Sequence, residues 1–308
     1  MNLIKSTGTF SFFTIISRLL GYLRDILIAV FLGAGPIADA FFVAFRIPNT
    51  FRRLFSEGTF NSAFVPSYAS EISQGKEEAN KFANSVFNLL IFILIFLILI
   101  IELFTPLFVF LIAPGFGEDP QKTELAVNLT RITIPFLLFV SLASFFSAIL
   151  NSHNRFAVAS AAPIILNIMM IGVLFFGFFL EDQLVYYLSF AVTTAGLIQL
   201  IFLYFFVKKF YIPKLSLTIK ISEKVKVFFK KLLPSIFSSG VTQINILVGT
   251  IIASFQAGAV SYLYYADRIY QINLAIAGIA IGTVVLPQLS KYVQNNKSEE
   301  VNLIQNKA

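Results

Sequence analysis

"LLIFILIFLILII", Leu89 to Ile101, runs thirteen residues without a charge or a hydrogen-bonding side chain. Its residues do not alternate apolar with polar, which removes a barrel strand as the reading. As a helix, the enclosing stretch of about 84–112 is long enough to cross roughly 30 Å of hydrocarbon at about 1.5 Å per residue. Stretches of the same kind lie at about 8–33, 36–66, 126–150, 157–180, 184–207, 232–255 and 259–289, so eight helical spans are expected. The chain of 308 residues is 57% hydrophobic and 13% charged, with a mean hydropathy of +0.82. That balance is far from a soluble domain and predicts an all-α polytopic membrane protein. The opening "MNLIK" imitates a signal peptide, but its apolar run continues through charge to Gly33 with no A-x-A-like cleavage site, so a retained first span is expected. Without cysteine the chain has neither disulfides nor thiolate metal ligands.

The connections between these spans fall into two sets. "KSTG", "EISQGKEEANKFAN", "NSHNRF", "KKFYIPKLSLTIKISEKVKVFFKK" and the tail after Ser290 hold fifteen Lys and Arg, whereas "GAGP", "APGFGEDPQKTE", "EDQ" and "QAGAVS" hold Lys122 alone. The positive-inside rule then puts the amino terminus, the long basic loop and the carboxyl terminus in the cytoplasm. The net charge of +7 thus belongs to membrane topology, and no nucleic-acid partner is expected. The loop ends in "KVKVFFKKLL", a basic amphipathic stretch expected to lie on the anionic inner leaflet.

An internal repeat joins "GAGPIADAFFVAFRIP…FVPSYASEIS", from Gly33, to "QAGAVSYLYYADRIYQ…VLPQLSKYVQ", from Gln256. Ala34-Gly35 matches Ala257-Gly258, and Val65-Pro66 matches Leu286-Pro287 with a two-residue gap. Six spans separate the copies, which suggests parallel six-helix halves; chance matching around small residues and prolines is the alternative. The expected organisation is a first six-helix lobe over 1–209, a basic amphipathic linker over 210–231, and the first two helices of a second lobe over 232–308. Nothing after Lys297 reads as a complete span, so the chain is expected to be the amino-terminal portion of a longer protein.

The seven basic residues left inside the spans are Arg18, Arg24, Arg46, Arg52, Arg53, Arg131 and Arg268, all arginine. Loops that take lysine while spans take arginine point to planar, bidentate, permanently charged contacts. Charge at the bilayer centre costs at least about 2.5–3.5 kcal/mol per residue, so such groups face protein or water. At about 100° per residue, Arg18 and Asp25 share a face and Arg24 lies about 120° away. A bend near Gly21 or a wide water-filled cavity is therefore required, while Ser17 and Gly21 offer a small face for close helix contact. Asp39, Arg46 and Arg53 follow at seven-residue steps, Glu57 lies one turn further, and a phase reset at Pro48 would turn Arg52 inward. Tyr264 and Arg268 are four apart, with Asp267 adjacent.

Competing readings stand beside these. Arg53 and Glu57 make an i, i+4 pair, or Arg53 snorkels to the interface; Glu102 and Arg131 read as structural or snorkelling. Asp25 either serves a site or neutralises a neighbouring arginine. Arg18, Arg24 and Arg52 outnumber the carboxylates near them, and clustered arginines suit phosphate, pyrophosphate or carboxylate. An exporter of cationic drugs would centre on carboxylates instead. His153, alone in a short turn, reads as solvated. No G-x-S-x-G, H-E-x-x-H or Walker A pattern occurs, so no enzyme, cofactor or metal site is indicated.

"SRLLGYLRD", "GAGPIADAFFVAFRIPNTFRRLFSEGTFNSAFVP", "APGF", "SLASFFSAILNSHNRFAVASAAPIILNI" and "YYADRIYQ…GTVVLPQLS" together resemble the MurJ (MviN) family of lipid II flippases, over essentially the whole chain. The resemblance implies the multidrug/oligosaccharidyl-lipid/polysaccharide exporter (MATE-like) fold, with two six-helix lobes about a cationic cavity. It implies alternating access that carries lipid II, the undecaprenyl-pyrophosphate-linked disaccharide-pentapeptide, to the periplasmic leaflet of the bacterial inner membrane. By motif match it puts substrate-binding arginines at Arg18, Arg24, Arg52 and Arg268 and a functional carboxylate at Asp39, with Asp25, Glu57 and Asp267 at further motif positions. Lipid II, membrane lipids and the peptidoglycan synthesis machinery are the partners it implies. Family members have about fourteen spans, more than this chain supplies. An exporter of O-antigen-type lipid-linked sugars and a non-transporting membrane scaffold are the alternative functions.

Overall fold

A computed structural model describes residues 3–56, 59–180, 183–216 and 222–280, and every regular element among them is a helix. In chain order these are α1 (Leu3–Leu32), α2 (Pro36–Ser56), α3 (Thr59–Gln74), α4 (Lys76–Leu103), α5 (Thr105–Ile112), α6 (Pro120–Thr133), α7 (Phe136–Ser152), α8 (Phe156–Phe175), α9 (Gly177–Leu180), α10 (Leu184–Val207), α11 (Glu223–Ala253) and α12 (Ala259–Ala280). The chain divides within α12 into two compact units, Met1–Tyr262 and Leu263–Ala308.

Prolines explain where several expected spans divide. The stretch 84–112 is a helix pair broken at Phe104 (φ −112°, ψ 27°), just before Thr105-Pro106, because a proline lacks an N–H and disfavours helical geometry before it. Asp119 begins α6 by accepting the Lys122 N–H at 3.0 Å ahead of Pro120, the favoured order of an N-cap and a proline in the first turn. The expected second span, 36–66, is described on either side of residues 57–58, as α2 and the first half of α3. Lys76–Leu103, Pro120–Ser152, Phe156–Phe175 and Leu184–Val207 are long and apolar enough to cross a membrane, and Glu223–Ser235 and Gly240–Ala253, bent by 49°, reach that measure only when taken together. The protein is a multi-pass membrane protein. Of the eight expected spans, those over α1, α2 and α12, which carry six of the seven intramembrane arginines, do not meet that measure of length and composition among the described residues.

α1 packs on α8, whereas α2 packs on α6 and α7, and α10 on α7 and α8. A core of aromatic rings joins α3, α4, α7 and α11: Phe64 meets Phe145 edge-on at 5.2 Å and Phe228 at 5.9 Å, and Phe60 meets Phe228 at 5.8 Å. Edge-to-face pairs of this kind add to the stabilisation from burial alone. Phe228 comes from "KVKVFFKK", the stretch expected to lie on the leaflet. The structure corrects that expectation: Val225, Phe228 and Leu232 are buried in the protein core, and Lys224 reaches Glu71 of α3 at 2.6 Å. Apolar groups with a protein face to fill are not available to lipid.

Candidate functional site

On α1, Arg24 donates from Nε and Nη2 to Asp25 Oδ1 at 3.0 and 2.7 Å, and from Nη1 to Asn167 Oδ1 of α8 at 2.9 Å. Arg24 and Asp25 are both only 6% exposed, and a buried cation held by a carboxylate and an amide has its desolvation offset. The other end of Asn167 donates from Nδ2 to the Ser17 carbonyl at 2.9 Å. That reach passes over Gly21, where a Cβ would lie 3.6 Å from the Asn167 amide. α1 runs without interruption through Gly21; the glycine serves a close approach of α8, and the helix is not broken there. Arg18 is exposed although it shares a face with Asp25, because that face is covered at Asp25 and Ile28 and open two turns earlier.

α2 continues through Pro48. A proline removes the bond to the carbonyl four residues earlier, here Ala44, and Thr133 Oγ1 of α6 supplies it at 2.9 Å. Below the proline, Arg52 Nε donates to Asn49 Oδ1 at 3.0 Å, and Arg52 and Arg53 are half-buried. Arg46 is buried. Glu57, and with it the expected pair with Arg53, lies outside the described residues.

Asp39, 0% exposed, is the most fully enclosed carboxylate described. Its Oδ2 accepts the Lys122 ammonium at 2.8 Å and the Gly258 N–H at 2.9 Å; its Oδ1 accepts the Ser261 N–H at 2.9 Å and the Ser261 hydroxyl at 2.6 Å. Gly258 and Ser261 flank the start of α12, where free N–H groups and the helix dipole favour an anion. Lys122 lies 3.9 Å from the Phe116 ring centroid, a cation–π contact that helps to hold it. Gly258 adopts φ +76°, with the Ala34 carbonyl 3.5 Å from the place of a Cβ, so the turn before α12 lies against the turn before α2. The turn Pro114–Glu118 seals the same end: Gly115 N–H donates to Ser254 Oγ at 3.0 Å, and a Cβ on Gly115 would fall 2.5 Å from Phe255 Cα.

Within the second unit, Arg268 donates from Nη2 to the Tyr264 hydroxyl at 3.0 Å and from Nη1 to Gln271 Oε1 at 3.2 Å, while Gln271 Nε2 donates to Asp267 Oδ2 at 2.6 Å. Asp267 thus positions Arg268 through Gln271. Among the described residues no group of three or more His, Asp or Glu is placed to hold a metal ion.

Lys122, Asn167 and Gln271 are absent from the residues singled out by sequence. Lys122 had a signal, as the one basic residue in its set of loops; Asn167 had a weak one, as an amide in the apolar run "PIILNIMMIG". His153 corrects the expectation of a solvated residue. Its ring stacks on Phe210 at 4.3 Å and meets Tyr68 edge-on at 6.0 Å, and burial lowers its pKa.

Helix order and packing are those of the MATE-type fold: a solved structure of MATE in complex with MaD3S aligns over 97% of this chain and 67% of its own, with a TM-score of 0.64 at 16% identity, a likeness of fold alone. A solved lipid II flippase MurJ in an inward closed conformation gives a TM-score of 0.75 at 32% identity, covering 94% of this chain and 59% of that one. A Rhizobium meliloti (strain 1021) protein named "Probable lipid II flippase MurJ" is 42% identical over 313 residues, covering 100% of this chain and 58% of the relative. The family profile "Lipid II flippase MurJ" matches residues 28–308, and the chain belongs to that family. It spans about three-fifths of the length of the curated relatives it matches.

Proposed function

We propose that this chain works in a lipid II flippase, moving the undecaprenyl-pyrophosphate-linked peptidoglycan precursor from the cytoplasmic to the periplasmic leaflet of a bacterial inner membrane. In this reading 1–209 form the first lobe, 210–231 the cytoplasmic linker and 232–308 the start of the second lobe, with the amino terminus in the cytoplasm. The observation that carries the reading is the Arg24 node, a buried guanidinium whose acceptors are one carboxylate oxygen and one amide oxygen. Pyrophosphate oxygens offer the same geometry with more charge. Substrate therefore displaces Asp25 from Arg24, and Asp25 neutralises the arginine again after release. Arg18, exposed on the same helix, and Arg52 and Arg268 supply the remaining charge, with Asp267 orienting Arg268 and Glu57 completing the polar end of α2.

Asp39 acts at the far end of α2. Its four accepted bonds tie α2, α6 and the start of α12 together, so opening between these elements requires them to break, and alternating access is a choice between two sealed ends. The machinery that consumes lipid II is the neighbour this activity serves.

The test is rescue of a strain depleted of its lipid II flippase. Arg24→Ala and Arg52→Ala should fail to support growth although the proteins reach the membrane, with Arg18→Ala and Arg268→Ala equally deficient; growth with all four would end the proposal. Orientation is tested separately, since the chain has no cysteine: a cysteine placed at Lys209 should resist an impermeant maleimide in whole cells, and one at Glu118 should react.

A further inference from the structure

Away from the arginine and carboxylate nodes, the start of α4 and the segment after α10 enclose a pocket of about 420 Å³. Five lysines line it, Lys76, Lys81, Lys208, Lys209 and Lys214, with a single carboxylate, Glu77. Glu77 is engaged by Lys81 at 3.0 Å, and Lys81 also meets Glu78 at 3.0 Å. Neighbouring Lys224 and Lys226 have carboxylate partners too, each at 2.6 Å. Among the described residues no carboxylate comes within ion-pair distance of Lys76, Lys208, Lys209 or Lys214. Four like charges around one concavity repel one another, and an anion relieves that repulsion.

The frame of the pocket is tied in place. Asn84 Oδ1 accepts the Tyr211 hydroxyl at 2.7 Å and the Lys214 N–H at 3.0 Å, and Asn88 accepts the Ser216 N–H and donates to the Lys214 carbonyl, both at 3.0 Å. Apolar side chains lie exposed at and beside the pocket: Ile212 of the lining is 59% exposed, Leu215, next to Lys214 in sequence, 78%, and Phe205 55%, with Lys208 Nζ 4.9 Å from the Phe205 ring centroid. Ammonium groups beside exposed apolar side chains match the boundary between headgroups and acyl chains.

We propose that this pocket binds the phosphate headgroup of an anionic phospholipid, whose chains lie along Phe205, Ile212 and Leu215. A free phosphate would meet the same lysines but gain nothing from the apolar rim. The orientation proposed above decides which leaflet supplies the lipid; binding itself does not depend on it, nor on the arginine nodes.

The test uses the full-length protein, delipidated in detergent and titrated with phosphatidylglycerol or phosphatidylcholine under native mass spectrometry. Phosphatidylglycerol should bind preferentially, and Lys209→Gln with Lys214→Gln should weaken it about tenfold or more. Lys230→Gln with Lys231→Gln, a charge-matched change at exposed lysines outside the pocket, should leave affinity within a factor of two, and Lys209→Arg with Lys214→Arg should retain it. Equal losses in both glutamine variants, equal binding of the two lipids, or displacement by inorganic phosphate where chloride of the same ionic strength has no effect would each overturn the proposal.

Discussion

Among the described residues of the first unit, two buried ion pairs have nearly equal exposure and opposite reach. Arg24 and Asp25 are sequence neighbours on one helix, and Arg24 also reaches a second helix through the Asn167 amide. Asp39 takes its donors from residues 83, 219 and 222 positions away. The first arrangement stores a charge locally and can exchange one acceptor for another without moving a helix. The second fastens separate elements, so its loss is felt as movement. Burial alone therefore does not say what an intramembrane charge is for; the sequence distance of its partners does.

Removing the fastening residue should have the largest effect. Asp39→Ala leaves Lys122 buried without its anion and the start of α12 without its cap, at a cost of about 3–5 kcal/mol; thermal unfolding in detergent should show it, and a wild-type midpoint would break the comparison. Lys122→Met should cost less than Asp39→Ala, because Ser261 and Gly258 still donate to the carboxylate. At the arginine node the effect should be smaller. Asn167→Leu leaves one arginine N–H without its acceptor and removes a contact to the Ser17 carbonyl, costing about 1–3 kcal/mol, and a loss larger than that of Asp39→Ala would reverse the ranking.

The smallest effect should touch neither pair. Burial lowers the pKa of His153 in the folded protein, so the neutral ring is the folded form. Its contribution is complete above the unfolded value of about 6.5 and is lost as pH falls below it. Acidification from neutral pH should slightly loosen the turn beside Phe210, seen as faster amide exchange there, and His153→Phe should abolish that pH dependence.

The long apolar runs made most helices legible, because nothing else in "LLIFILIFLILII" competes with membrane burial. The break at Phe104 was written in Thr105-Pro106 but outweighed by the apolar residues around it. The span expected over 36–66 runs through Pro48, but how the proline is accommodated was not legible, since the Ala44 carbonyl it leaves is met by a hydroxyl from Thr133, 89 residues away. The candidate arginines and acids stood out as charges in hydrocarbon. Their partners did not, because Lys122, Asn167 and Gln271 are ordinary polar residues that only folding brings to a charge. At Gly21 the sequence asks for a bend or a wide cavity, and α1 runs on through the glycine beside Asn167: a glycine in a helix signals either a kink or a close neighbour, and only the neighbour's identity separates the two.

The remote partners of Asp39 also set a schedule for synthesis. Chain elongation at about 5–20 residues per second means that Lys122 follows Asp39 by roughly 4–17 s and Ser261 by roughly 11–44 s, given separations of 83 and 222 residues. A bare carboxylate is costly in hydrocarbon during that interval, so α2 is expected to settle in two stages, first when Lys122 arrives and again when α12 starts. A ribosome stalled between those two points should hold α2 closer to water than the finished protein does.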